Sequence, residues 1–241
     1  MLPDSIVPQP PVFDALAAFG IGGLAVLVAL AWVAVFARGD VRCALVLGAI
    51  ASAVMAVSAF AAASGVLARF ESFPPPMLVM MVSVIVAGFA GGLSSFGHRA
   101  AVELPFLALV GLQSFRFPLE LVMHHAGNRG IMPTELSYSG YNFDIVTGIG
   151  AAVIFVILRS GHAVPSAVLW AWNLWGSLCL AVIAFIAVAT SPIVRLFGDE
   201  PQHLNTWVLY FPYVWLPVVM VTIAIFGHVV VTRKLVMKPT I

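Results

Sequence analysis

Four polar side chains share one face of an otherwise apolar segment near the middle of the chain: Gln113, Arg116, Glu120 and His124. Their spacing places them within a face about 80° wide on an α-helix. Charged groups at bilayer depth are costly, so they mark a polar interior, a ligand site or an ion path. An arginine and a glutamate one turn apart can also pair. The pattern predicts an intramembrane site in which Arg116 holds an anion or the Glu120 carboxylate, and Glu120 carries a proton or cation.

Further candidate side chains lie in the next polar stretch and at the start of the next apolar one: Arg129, Glu135, Asn142 and Asp144. Asp144 stands where a helix begins, so capping that helix is one interpretation of its carboxylate. The other is that Asp144 or Glu135 joins Glu120 and His124 in a water-accessible acidic site. Carboxyl groups crowded together share protons, which suits proton handling.

A proline interrupts the segment between its two charged residues. Pro118 has no backbone N–H and its ring clashes with the preceding turn, which predicts a kink that frees a carbonyl near Ser114. In this hypothesis the kink gates a pocket that opens to the outer face, and Gln113 orients the charged groups at its bottom. A polar node that only locks helix packing would contain the same residues, so that alternative stays open.

The composition predicts that the chain carrying these residues is embedded in a membrane. The 241-residue chain is 62% hydrophobic and 9% charged, whereas soluble domains have about 25% charged residues. Its mean hydropathy is +1.08. The net charge of +1 offers no basic patch for nucleic acid. We therefore predict an all-α integral membrane protein, with residues 1–241 forming a single transmembrane domain and with no nucleic-acid partner.

Seven apolar stretches are long enough, or nearly so, to form membrane-crossing helices. They run over residues 14–36, 43–67, 77–96, 102–125, 143–158, 165–189 and 207–231. The fifth is short and contains glycine, so a re-entrant or tilted segment is its alternative. The predicted architecture is a seven-helix transmembrane bundle whose fourth helix carries the polar face.

The basic residues predict the orientation of the bundle, because cytoplasmic loops are enriched in lysine and arginine. With the N-terminus outside, the cytoplasmic side receives most of them: Arg38, Arg42, Arg99, Arg159, Arg233, Lys234 and Lys238. The outer side receives Arg69, Arg129 and Arg195. The C-terminus is then cytoplasmic, and the bacterial inner membrane is the predicted location. The first 13 residues contain no lysine or arginine, which predicts no cleavable secretory signal.

Metal and cofactor chemistry has little support in the sequence. Cys43 and Cys179 lie in apolar stretches, which predicts buried free thiols rather than a disulfide or zinc ligands and leaves the redox compartment open. No metal site and no cofactor is predicted. A haem held by His98 and His228 near the cytoplasmic face is the alternative.

Small and aromatic residues indicate packing surfaces and partners. Small residues recur in the second and third stretches: Ala49, Ser52, Ala53, Ala56, Gly88, Gly91 and Gly92. They let helices approach closely, either within the chain or in a homo-oligomer or membrane complex. The last stretch begins with an aromatic and proline cluster: Trp207, Tyr210, Phe211, Pro212, Tyr213, Trp215 and Pro217. Such a cluster predicts a belt at the membrane interface, in contact with lipids, or the wall of a ligand pocket.

Three functions are consistent with these patterns. The first is transport or binding of a small polar ligand, ion or proton at the polar face of the fourth helix. The second is a membrane-embedded enzyme that acts on a lipid or lipid-linked substrate at the outer interface. Its general base would be Glu120 or His124, and Arg116 or Arg129 would bind a phosphate. The third is a structural subunit of a membrane complex. The sequence contains no evident nucleophile–base pair or metal motif, which disfavours the enzyme.

Overall fold

A computed structural model describes residues 8–237, which are helical with no strand in that range. The helices are α1 Ala15–Ala37, α2 Val41–Ala63, α3 Pro76–Leu93, α4 Ser95–Glu103, α5 Phe106–Gly111, α6 Arg116–Asn128, α7 Asp144–Arg159, α8 Ser166–Ala189 and α9 Thr222–Met237. A 3-10 turn, Leu112–Phe115, joins α5 to α6, and a π-helical stretch, Leu216–Val221, leads into α9.

Six helical segments are long and apolar enough to cross a membrane: Ala15–Ala37, Val41–Ala63, Pro76–Leu93, Phe106–Asn128, Ser166–Ala189 and Leu216–Met237. They support the prediction of an all-α, multi-pass membrane protein. The remaining predicted crossing corresponds to α7, which has 16 residues. Such a helix is about 24 Å long, shorter than the roughly 30 Å hydrocarbon core. By length alone, then, six of the seven predicted crossings are present.

The bundle has two chemically different ends. At the loop end, the N-terminal segment meets the loops 129–143 and 190–215, where Tyr210 Oη donates to Pro8 O. At the opposite end, which we call the turn end because short turns join the helices there, the C-terminal part of α9 packs against α3 and α4. There Arg233 donates to the carbonyl oxygens of Gly92 and Ser94. Arg233 and Lys234 thus lie at the turn end, and Arg129, paired with Asp14 before α1, lies at the loop end. Lys238 and residues 1–7 of the N-terminal segment lie outside the described residues.

The helix α7 starts inside the bundle rather than at its loop end. Its first residue, Asp144, bonds Arg116, which lies close to the middle of the span Phe106–Asn128. From there α7 runs antiparallel to α6 and α5 toward the turn end, and its Phe155 ring lies over Gly111. The fifth apolar stretch therefore forms a helix that packs along α5 and the start of α6, in the half of the bundle nearer the turn end.

The loop 129–143 fills the space that α7 leaves at the loop end. Its residues Met132, Leu136, Ser137 and Asn142 are all buried. Two turns organise it: Gly140 N–H and Asn142 N–H both donate to Ser137 O. A buried loop must satisfy its backbone groups internally at bilayer depth. The loop enters the bundle from the loop end and α7 continues toward the turn end, so this stretch does not return to the end at which it entered, as a re-entrant segment would.

The glycines of α3 pack within the chain. A Cβ on Gly88 would lie 2.8 Å from the Ile225 side chain, and one on Gly92 would lie 2.7 Å from Val229. These contacts let α3 approach α9 closely. The small residues Ala49, Ser52, Ala53 and Ala56 of α2 are instead exposed.

Asp14 connects the start of α1 to the end of α6. Its Oδ1 accepts from Ala17 N–H at 2.9 Å and lies 3.0 Å from His125 Nε2, and its Oδ2 lies 3.3 Å from Arg129 Nε. The Ala17 hydrogen bond, followed by His125 and then Arg129, lowers the pKa of Asp14 below its ordinary value of 3.8, although partial burial opposes the shift. Asp14 therefore binds a proton less readily in the folded protein than in the unfolded chain.

We expect Asp14→Asn to reduce the acid sensitivity of the fold. Because the folded pKa is lowered, the stabilisation is complete above pH 3.8 and is lost as the pH falls through the lowered value. Thermal unfolding in detergent between about pH 6 and about pH 3 should show wild type falling toward the variant. Asp199→Asn is the matched control, since that exposed carboxylate forms only a surface pair with Arg195. A constant difference between wild type and Asp14→Asn across this range would contradict the assignment.

Candidate functional site

Arg116 lies at the centre of a buried polar cluster between α6, α7 and α9. Its Nε donates to Asp144 Oδ2 at 2.5 Å, and its Nη1 lies 2.6 Å from His228 Nε2. Arg116 is 1% exposed, Asp144 and His228 are each 3% exposed, and Glu120 is 0% exposed. We call Arg116, Glu120, Asn142, Asp144, Asn173 and His228 the Arg116 cluster.

The partners of His228 determine its tautomer. A guanidinium can only donate, so His228 Nε2 accepts from Arg116 and carries no hydrogen. The hydrogen is then on Nδ1, which donates to Asn173 Oδ1 at 2.8 Å. Asn173 Nδ2 donates in turn to Thr232 Oγ1 at 2.8 Å. His228 is therefore a neutral imidazole and adds no positive charge to the cluster.

Glu120 is bonded by an amide rather than by a cation. Asn142 Nδ2 donates to Glu120 Oε1 at 2.8 Å and to Leu136 O at 2.9 Å. Asn142 Oδ1 accepts from Asp144 N–H at 3.0 Å. A carbonyl can only accept and a backbone N–H can only donate, so the orientation of the amide is fixed. The loop 129–143 thus places one neutral hydrogen-bond donor on the Glu120 carboxyl group.

Three glycines make the space that the cluster occupies. A Cβ on Gly148 of α7 would lie 2.2 Å from the Phe117 nitrogen, and one on Gly176 of α8 would lie 2.4 Å from the His228 ring. A Cβ on Gly227 would lie 2.2 Å from Gln113 Nε2. Any larger residue at these positions would meet the backbone or side chains that carry the polar groups. The cluster is therefore packed to contact distance on several sides.

Each charged member keeps a polar atom without a hydrogen-bond partner among the described residues. These atoms are Arg116 Nη2, Glu120 Oε2 and Asp144 Oδ1. The first turn of α7 begins at Asp144, so the positive end of its helix dipole lies beside the carboxyl groups. The free carboxyl oxygen on each acid can carry a proton.

The structure corrects the pairing predicted within the fourth helix. Arg116 pairs with Asp144 rather than with Glu120, because the start of α7 brings Asp144 to the guanidinium. Asp144 is the first residue of α7, but its carboxylate accepts a hydrogen bond from Arg116. The backbone N–H of Asp144 donates to the Asn142 side chain. The start of α7 has no side-chain cap, and of the predicted acidic site the structure brings Asp144 into the cluster that contains Glu120, without His124 or Glu135 and with Asp144 buried.

Three predicted site residues lie away from the cluster. His124 is bonded to Ser139 and Asn128 and stacks on Tyr138 with 4.4 Å between the ring centroids. Glu135 Oε1 lies 2.6 Å from His203 Nδ1. Arg129 is paired with Asp14. The structure therefore brings together Arg116, Glu120, Asn142 and Asp144, with Gln113 buried nearby against Gly227.

The sequence did not single out His228 and Asn173 as site residues. Each stands alone in an apolar stretch, and only the tertiary fold brings them to Arg116. The available signal was a glycine next to His228 and another three residues after Asn173, which leave room for a buried ring. Of the two histidines in the haem alternative, His228 has both ring nitrogens bonded, to Arg116 and Asn173, and His98 is exposed.

Among residues 8–237, no group of three or more histidine, cysteine, aspartate or glutamate side chains is arranged to hold a metal ion. Comparison of the chain with protein-family models, with curated proteins and with solved structures found no match. The function has to be inferred from the chemistry of the Arg116 cluster itself.

Proposed function

We propose that the protein binds and exchanges a proton at Glu120 inside the membrane, as the intramembrane proton site of a transporter. The observation that carries this proposal is the charge balance of the Arg116 cluster. Two carboxyl groups are buried with one guanidinium, and the histidine is neutral. One guanidinium neutralises only one of the two carboxylates, so a proton on the other carboxyl group brings the formal side-chain charges to zero. The start of α7 adds only a partial positive charge.

Glu120 is the carboxyl group that the contacts favour for this proton. Asp144 has the direct ion pair with Arg116, at 2.5 Å, whereas Glu120 Oε1 accepts only from the neutral Asn142 amide. A buried carboxylate without a cation is far more costly than a buried protonated carboxyl group. Protonation and deprotonation of Glu120 would therefore be coupled to rearrangement of the surrounding loop and helix.

The orientation is part of the same proposal. With the N-terminus outside and the C-terminus cytoplasmic, Glu120 lies one helical turn from Arg116 toward the outer face. The loop end then carries Arg69, Arg129 and Arg195, and the turn end carries the larger group of basic residues. The loop 129–143, which supplies Asn142, would cover Glu120 from the outer side and would have to move for exchange.

A pH jump applied to protein in proteoliposomes on a solid-supported membrane tests the proposal. Proton binding in a low-dielectric site moves charge, so wild type should give a transient current. Glu120→Gln should lose that current. Glu71→Gln is the same change at an exposed position, in the loop after the 3-10 turn Val66–Ala68, and it should keep the current.

Absence of a transient current in wild type, or its persistence in Glu120→Gln, would contradict the proposal. A sodium jump at constant pH provides the second arm. If sodium evokes the current and a proton jump does not, the occupant is a small cation rather than a proton.

The stability of Glu120→Gln separates a proton site from a fixed packing carboxylate. Glutamine reproduces the shape and the acceptor oxygen of a protonated carboxyl group, so we expect the free energy of unfolding to change by less than about 1 kcal/mol. Asp144→Asn, which removes the partner of a buried arginine, should cost more, about 3–5 kcal/mol. Chemical unfolding in detergent measures both. A loss at Glu120→Gln as large as that at Asp144→Asn would favour the structural-subunit hypothesis.

A further inference from the structure

A large apolar groove lies at the loop end of the bundle, apart from the Arg116 cluster. Its volume is about 920 Å³. One side is formed by α1 and the end of α2, and the other by residues 210–215 and the segment 10–13. The lining part of α1, from Ala18 to Leu27, belongs to a candidate membrane span. The groove is therefore placed at bilayer depth.

The lining of the groove is suited to a hydrocarbon chain. Small residues of α1 and α2 form one surface, namely Ala18, Gly22, Gly23, Ala62 and Ala63. Exposed aromatic rings, including Phe13, Phe19 and Phe211, border it. Among residues 8–237, the side chains that line it are all uncharged. Water needs two or more polar partners to occupy a cavity, so an apolar groove at this depth is filled by apolar matter.

A cation is connected to the lining of the groove through Asp14. Phe13 lines the groove and is followed in the chain by Asp14, whose Oδ2 lies 3.3 Å from Arg129 Nε. The Arg129 side chain is 63% exposed, so much of its guanidinium faces outward. Guanidinium groups bind phosphate oxygens with two parallel hydrogen bonds. A phosphate at the interface and a hydrocarbon chain below it are the two parts of a phospholipid.

We propose that this groove holds one acyl chain of a phospholipid from the leaflet at the loop end, with the head-group phosphate at Arg129. The segment from Pro8 to Phe13 closes over the chain, held by the 2.7 Å hydrogen bond from Tyr210 Oη to Pro8 O. This inference depends on the membrane location of α1 and α2 and not on the proton site, so either can fail without the other.

Gly23→Phe tests the groove directly. Gly23 lines the groove and a Cβ there would meet nothing within 4 Å, so a phenylalanine can be attached at this position and its ring would occupy groove space. Gly48→Phe on α2 is the matched control, because a Cβ there also meets nothing within 4 Å and Gly48 does not line the groove. Ala63→Phe blocks the groove from its other side and replaces Gly23→Phe if that variant does not fold.

Native mass spectrometry of protein extracted from membranes in mild detergent measures the bound lipid. Wild type and Gly48→Phe should retain one phospholipid, and Gly23→Phe should retain about tenfold less, equivalent to about 1.4 kcal/mol. Arg129→Gln should also lower retention. The inference is overturned if wild type retains no phospholipid, if it retains a prenyl lipid instead, or if Gly23→Phe and Gly48→Phe retain equal amounts.

Discussion

Arg116→Met is expected to lower the free energy of unfolding by about 3–5 kcal/mol, the usual cost of removing one partner of a buried ion pair. Methionine keeps much of the volume of the side chain, so loss of packing contributes little. The cost arises because Asp144 would keep its charge, 3% exposed, without the guanidinium that lies 2.5 Å away. Chemical unfolding in detergent measures the change.

A double variant shows whether charge or packing causes that loss. Arg116→Met combined with Asp144→Asn removes both charges, so most of the lost stability should return, since apolar or neutral replacements of whole buried pairs are often tolerated. Losses that simply add in the double variant would mean that the two groups are independent. That result would contradict the ion pair on which the proposed charge balance depends.

Gly148→Ala is expected to cost about 3 kcal/mol, the upper part of the range for overpacking. The new methyl group would lie 2.2 Å from the Phe117 nitrogen and 2.8 Å from the Arg116 carbonyl carbon. These are backbone atoms of α6, which cannot rotate aside as a side chain can. The helix α7 would have to move outward, and Asp144 would move with it. Thermal unfolding and limited proteolysis of the loop 129–143 should both report this displacement.

Gly48→Ala provides the control for glycine replacement in a helix. A Cβ at Gly48 meets nothing within 4 Å, so only helix propensity changes, which favours alanine by about 0.5–1 kcal/mol. The two substitutions are chemically identical and should have opposite signs. An equal effect at both positions would mean that α6 and α7 do not meet at Gly148.

Much of the architecture follows from composition and spacing. Apolar stretches of about 20 residues predict membrane helices because each backbone group must be satisfied within its own segment. The polar face of the fourth helix is confirmed as buried for Gln113, Arg116 and Glu120, since charges at that depth have to turn away from lipid. The length of the apolar stretches carried the first of these predictions, and helical periodicity carried the second.

Long-range partners were less accessible to sequence reasoning. Periodicity places Arg116 and Glu120 on one face, and from that face alone they look like a pair. The actual partner, Asp144, is 28 residues away and reaches Arg116 only because α7 starts in the middle of the bundle. His228 is 112 residues from Arg116, and it too reaches the guanidinium only through the tertiary fold. The depth at which a helix starts and the helices it packs against depend on the whole fold, so the residue pattern of one segment does not predict them.

His124 shows the limit of predicting a shared site from residue spacing along one helix. It continues the stripe of Gln113, Arg116 and Glu120, yet it is only half-buried and bonds Ser139 and Asn128, while Met123 and Ala126 beside it are buried. A face predicted from rotation alone does not show which neighbours it meets, and at this level of α6 they are Tyr138 and Ser139 of the loop 129–143. The residues of that loop supply Asn142 to Glu120 instead.

The protonation state of Glu120 is the central claim, and infrared difference spectroscopy measures it directly. A protonated carboxyl group absorbs at a C=O stretching frequency distinct from that of a carboxylate. At near-neutral pH, wild type and Glu71→Gln should both show the band of a buried protonated carboxyl group, and Glu120→Gln should lack it. A wild-type spectrum without that band, or a band that survives in Glu120→Gln, would contradict the account.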